Sequence, residues 1–152
     1  MKTTPFILSV LLLLGTFQTA HAKTDFKQML MIKTFMRLLD TNQNTQIEIQ
    51  EAQSRWTQAF IITDKNTDKV LSLSEFGTLF IAQSTQIKLI DPKSKLPSAE
   101  AVFKKLDSDK SRGITLKEFN QHALTRFRLV DTDENEAISE AELIAVKGQL
   151  SL

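Results

Sequence analysis

Three features of the 152-residue sequence predict an all-α fold built from helix-loop-helix repeats. A polar twelve-residue segment recurs four times. Apolar residues at helical spacing flank these segments, and the connecting stretches AQSRWTQAFIIT and FNQHALTRFRLV contain neither Gly nor Pro. The expected plan is four loops in two halves with about six helices: helix, loop, helix, loop, helix, then a linker, then the same again.

Residues 1–22, MKTTPFILSVLLLLGTFQTAHA, place Lys2 before an apolar run from Phe6 to Phe17 and end on Ala20-His21-Ala22. This is the layout of a secretory signal peptide, and the run is shorter than the roughly 20 apolar residues that span a bilayer. With cleavage after Ala22 and no cysteine to acylate, the mature chain is expected to be exported, periplasmic or secreted, and free of the membrane. Without Lys2 the chain holds 18 basic and 18 acidic residues, a balance that suggests neither a nucleic-acid partner nor an anionic membrane surface. Lacking disulfides, so small a core must be held by packing or by something bound, and a metal is the first candidate.

The first half, residues 23–90, contains segments 40–51 and 64–75. The second, 98–152, contains 107–118 and 131–142. The linker, 91–97, is set off by Pro92, Pro97 and a polar middle, and Ser98 is placed to cap the helix that follows. Aligned, the segments read DTNQNTQIEIQE, DKNTDKVLSLSE, DSDKSRGITLKE and DTDENEAISEAE. Position one is Asp40, Asp64, Asp107 or Asp131, and position twelve is Glu51, Glu75, Glu118 or Glu142. Oxygen-bearing side chains also fill position three (Asn42, Asn66, Asp109, Asp133), position five (Asn44, Asp68, Ser111, Asn135) and position nine (Glu48, Ser72, Thr115, Ser139). Calcium takes six to eight oxygen ligands at about 2.3 to 2.6 Å, and a twelve-residue loop supplies them from alternate positions, ending on a bidentate Glu. Position seven lends only its backbone carbonyl, so Gln46, Val70, Gly113 and Ala137 are expected to vary freely. The apolar eighth residues, Ile47, Leu71, Ile114 and Ile138, should anchor each loop on the core. Zinc or copper would call for His or Cys, and magnesium for a smaller octahedral cage.

On these loops the chain resembles the EF-hand family, the calmodulin-like calcium binders. In its short interloop spacing it resembles the EF-hand repeats of exported bacterial proteins. The resemblance implies Ca²⁺ as the bound ion, with the first, third, fifth, ninth and twelfth side chains and the seventh carbonyl as ligands. It also implies a sensor or buffer that offers an apolar groove to a protein partner, or else a calcium-stabilised structural or adhesion module that does not switch. The family pattern has Gly at position six, in a turn with positive φ. Here Thr45, Lys69, Arg112 and Glu136 stand there, at a cost on the order of 1 kcal/mol or more each. With three carboxylate candidates per loop, weak to moderate sites are expected.

Loop starts lie 24 residues apart within each half and 43 apart between halves, leaving 12 residues between loops of a half. One continuous helix should join them, so paired loops must come from different halves. Met36, Phe60, Phe103 and Phe127 stand four residues before the loops, with Leu39, Leu106 and Val130 immediately before three of them. Phe76, Leu79, Phe80, Leu143 and Val146 follow at core spacing. Met29, Met31 and Met36 suit either core gaps or an adaptable binding surface, the core being preferred, and Trp56 is expected in the core. His122 is the mature chain's only histidine and gives no ground for catalysis. Lys104, Lys105, Lys110, Arg112, Arg126 and Arg128 form a solvated face, weaken calcium binding by repulsion, or receive an acidic partner. With no G-x-S-x-G elbow and no phosphate-cradling glycine loop, no enzymatic activity is expected.

Overall fold

The structure, a computed structural model, describes residues 26–90 and 96–145. The expected signal peptide, most of the linker and the core assignment of Val146 lie outside those residues. Among the described residues six helices dominate: α1 (Phe26–Leu39), α2 (Ile49–Thr63), α3 (Leu73–Ile90), α4 (Ala99–Leu106), α5 (Leu116–Val130) and α6 (Glu140–Ala145). Short strands precede four of them: β1 (Gln46–Glu48) before α2, β2 (Val70–Leu71) before α3, β3 (Ile114–Thr115) before α5 and β4 (Ala137–Ser139) before α6. The all-α expectation therefore holds for the bulk of the chain, and two small antiparallel sheets are added to it.

Each sheet joins the halves. β1 pairs with β4, setting Ile47 opposite Ile138, and β2 pairs with β3, setting Leu71 opposite Ile114. A single helix spans the interval between the loops of each half, α2 in the first and α5 in the second, as the absence of Gly and Pro predicts. With its two loops at opposite ends of one rod, a half has no partner strand of its own, and each loop pairs with one from the other half.

The apolar positions explain the packing. All four position-eight residues are 0% exposed. Met36, Phe60, Phe103 and Phe127, with Leu39, Leu106 and Val130, are buried in one cluster. Ring contacts cross between the halves: Trp56 meets Phe127 edge-on at 6.1 Å between centroids, Phe60 meets Phe119 at 5.8 Å, and Phe76 meets Phe103 at 5.9 Å. Such pairs contribute about 0.5–1.5 kcal/mol each beyond the area they bury. Trp56 is 1% exposed, a core residue as expected. Of the methionines, Met36 is buried, but Met29 is 39% exposed and does not fill the core. Met29 sits in the first turn of α1, where the cluster begins only with Ile32. Ser98 caps α4 by accepting the Ala101 N–H at 3.1 Å.

Candidate metal centres

Each loop begins where a helix ends. The backbone N–H of Asp40, Asp64, Asp107 and Asp131 donates to the carbonyl of Met36, Phe60, Phe103 and Phe127, closing the last helical turn at 2.8–2.9 Å. The chain then reverses through residues with positive φ. Position six takes φ of 71° at Thr45, 69° at Lys69, 71° at Arg112 and 64° at Glu136, the conformation expected where a glycine would be favoured. Position four, where no residue type signals it, does the same: 60° at Gln43, Thr67 and Lys110, and 58° at Glu134. No glycine serves either position, so every loop carries two left-handed non-glycine residues, each costing about 1–2 kcal/mol.

Side-chain oxygens turned inward hold this shape. Asp40, Asp64, Asp107 and Asp131 each accept the N–H of their position-six residue through Oδ2, at 2.8–3.0 Å. Position three accepts the N–H of position five at 2.9–3.2 Å in all four loops. Position five accepts the N–H of position seven through Asn44, Asp68 and Asn135. Ser111 breaks this pattern and donates its hydroxyl to the Gly113 carbonyl at 3.1 Å. These are turns in which Asx and Ser side chains mimic backbone acceptors, and they collect the oxygens of positions one, three and five on the inner side of each loop.

The twelfth residue is fixed by its place in the next helix. Position nine is the helix N-cap and position twelve its third residue: Thr115 Oγ1 accepts the Glu118 N–H while Glu118 Oε2 accepts the Thr115 N–H, a capping box. Ser72 with Glu75, and Ser139 with Glu142, repeat this exchange. The other oxygen of each Glu reaches back across the loop. Oε1 accepts the N–H of Thr41, Lys65, Ser108 or Thr132 at position two, at 2.7–2.9 Å. The hydroxyls of Thr41, Ser108 and Thr132 donate to the same oxygen. These position-two residues were not singled out in the sequence, although the recurrence of Thr or Ser there in three loops was a legible signal.

These donors keep the carboxylates ionised. Hydrogen bonds from the Ser72 hydroxyl and N–H, helped by the N–H of Lys65 and Asn66, hold the Glu75 carboxyl down to about 2. For Glu118 burial pushes upward, but donation from Thr115, Ser108 and Asp109 outweighs it and holds the group at about 2. Glu51 and Glu142 are likewise lowered, partial burial being overcome by donation from Thr41, Glu48 and Asn42, and from Ser139 and Thr132.

Two loops assemble three carboxylates each. Asp107, Asp109 and Glu118 bring ligand oxygens within 4.8 Å of one another, as do Asp131, Asp133 and Glu142, and each set could hold a metal ion. These are the first, third and twelfth positions of the third and fourth loops. In the first two loops position three is Asn, and Asn42 Nδ2 donates to Glu48 Oε2 at 2.7 Å, Asn44 Nδ2 to Glu48 Oε1 at 2.5 Å, and Asn66 Nδ2 to Asp68 Oδ2 at 2.9 Å; in the fourth loop Asn135 Nδ2 donates likewise to Asp133 Oδ2 at 2.9 Å, within its carboxylate triad. The donor sets fit a hard divalent cation, being all oxygen with neither Cys nor His among them. The second loop adds an observation of its own: Asp64 is 8% exposed, and its Oδ1 is buried with no hydrogen-bond partner. Such an oxygen gains from a cation more than one already hydrogen-bonded.

One expectation is corrected. In the third loop position seven does not vary freely, because a Cβ on Gly113 would lie 2.2 Å from Val70 Cγ1 across the β2–β3 pair. The seventh residues of the second and third loops meet there, and glycine is the residue that fits beside Val70.

Comparisons with protein-family models, with curated proteins and with solved structures found no match to this chain.

Proposed function

We propose that this protein binds calcium reversibly through its four twelve-residue loops, as a diverged EF-hand protein acting as an exported sensor or buffer of weak to moderate affinity. The observation that carries the proposal is the convergence of Asp107, Asp109 and Glu118, and of Asp131, Asp133 and Glu142, at the positions where such a loop needs its carboxylates. Asp40 with Glu51 and Asp64 with Glu75 occupy the same places in the other two loops. Asn42, Asn44, Asn66, Asp68, Ser111 and Asn135 supply further oxygens, with the carbonyls of Gln46, Val70, Gly113 and Ala137. Position nine acts directly or through water. A bound Ca²⁺ would neutralise the gathered carboxylates and stabilise the folded chain by RT ln(1 + [Ca²⁺]/Kd) per site. No catalytic role belongs to this reading.

A second reading, a calcium-stabilised structural or adhesion module that never switches, is favoured by the ring contacts that join the halves. Binding of an apolar dye with and without Ca²⁺ separates the two. A calcium-dependent rise supports a sensor that opens an apolar groove for a protein partner. Unchanged dye binding through saturation supports the non-switching module.

A further inference from the structure

The ladders pair the first loop with the fourth and the second with the third, so the charge of each loop acts on its spatial partner as well as on itself. Segments 40–51 and 131–142 together contain nine acidic residues and neither Lys nor Arg, whereas segments 64–75 and 107–118 contain six acidic residues against five basic ones. Much of the difference sits on side chains with no expected ligand role. Glu134 and Glu136, at positions four and six of the fourth loop, are exposed, and so are Lys69 and Arg112 at position six of the opposite pair. Arg37 and Arg128, one helical turn before the first and fourth loops, narrow the gap. Lys105, just before the third loop, widens it again, while Lys104 is paired with Glu100 at 2.9 Å.

We propose that these non-ligating charges divide the four loops into a tight pair, the first with the fourth, and a weak pair, the second with the third. The proposal rests on the calcium reading above and adds which end of the molecule fills first. A divalent ion feels each surrounding charge twice over. A difference of several charges at roughly 10 Å, screened at ordinary salt, amounts to about ten- to a hundredfold in affinity. The sequence halves, each holding one acidic and one balanced loop, would not fill as units.

The test is a titration of the purified protein with Ca²⁺ alone, at low and at high KCl. The expected result is two phases at low salt, about tenfold or more apart, that draw together at high salt. Glu142→Gln should remove a site from the tighter phase. Glu134→Gln with Glu136→Gln should weaken only that phase, and Lys69→Gln with Arg112→Gln should tighten only the other, with the helical signal unchanged in both. Equal affinities at low salt, or charge variants that move the opposite phase, would overturn the division while leaving calcium binding intact. Absence of any saturable binding would instead overturn the calcium reading on which it rests.

Discussion

Gly113→Ala puts the cross-half pairing of loops to a direct test. The added Cβ would stand 2.2 Å from Val70 Cγ1, against 3.4–4 Å for ordinary contact, so that methyl must retreat by more than an ångström. The other nearest atoms, Val70 Cβ at 3.7 Å and the Leu71 carbonyl oxygen at 3.8 Å, are at ordinary distances, so the conflict is with one methyl alone. Valine is stiff about χ1 and Val70 lies in a strand, so relief requires an off-rotamer side chain or a shifted ladder, with an overpacking cost of about 1–3 kcal/mol. Gly113 does not have positive φ, so alanine there should also recover about 0.4–1 kcal/mol by restricting the unfolded chain. The net expectation is a loss of about 1–2 kcal/mol. Val70→Ala removes two methyls at a half-buried site, costing about 1 kcal/mol alone. In that background Gly113→Ala should become neutral or stabilising, so the two changes couple by about 1.5–3 kcal/mol. Urea unfolding in chelator, followed by circular dichroism and Trp56 fluorescence, measures all four proteins. Additive losses, or a wild-type background stabilised by Gly113→Ala, would refute the packing of β2 against β3.

Other consequences are equally open to measurement. Glu118→Gln should abolish calcium at the third loop and leave the remaining sites, read as the loss of one equivalent in titration; retention of every equivalent would disprove the ligand assignment. Arg112→Gly relieves φ of 71° and removes a cation, whereas Arg112→Gln removes the cation alone. If the turn is strained, the glycine variant should bind more tightly than the glutamine variant by a few-fold and be about 1 kcal/mol more stable without metal. Equal behaviour would mean the backbone carries no strain there. The carboxyls of Glu75 and Glu118 are held down to about 2 from an ordinary 4.5, so their contribution to stability is complete above about pH 4.5 and is lost as pH falls toward 2. Acid unfolding of the metal-free protein should show that slope, and Glu118→Gln should flatten it. An unaltered slope in the variant would contradict the hydrogen-bonding account.

The fold was largely legible because its determinants are local. Ile47, Leu71, Ile114 and Ile138 repeat at fixed places and all prove fully buried, and the short interval without Gly or Pro dictated single helices and hence pairing across the halves. The helices α2 and α5 start three residues before the interloop stretches, because position nine is the N-cap that pairs with position twelve as well as a candidate ion ligand. The position-four turns at Gln43, Thr67, Lys110 and Glu134 leave no mark in the sequence, since no residue type there signals positive φ. The demand for glycine at position 113 arises from Val70, more than forty residues away in sequence, and no local pattern could carry it. The division of the loops by carboxylate arrangement was partly visible as Asn42 and Asn66 against Asp109 and Asp133. Its geometric consequence, the convergence of Asp107, Asp109 and Glu118 and of Asp131, Asp133 and Glu142, needed coordinates.

Calorimetric titration of the purified protein with Ca²⁺, against Mg²⁺ as control, tests the central claim most directly. Saturable, calcium-selective binding of up to four ions in the micromolar-to-millimolar range is the predicted result. No calcium uptake up to several millimolar would contradict it, and would make the inward-turned carboxylates of the four loops acceptors for their own backbone and nothing more.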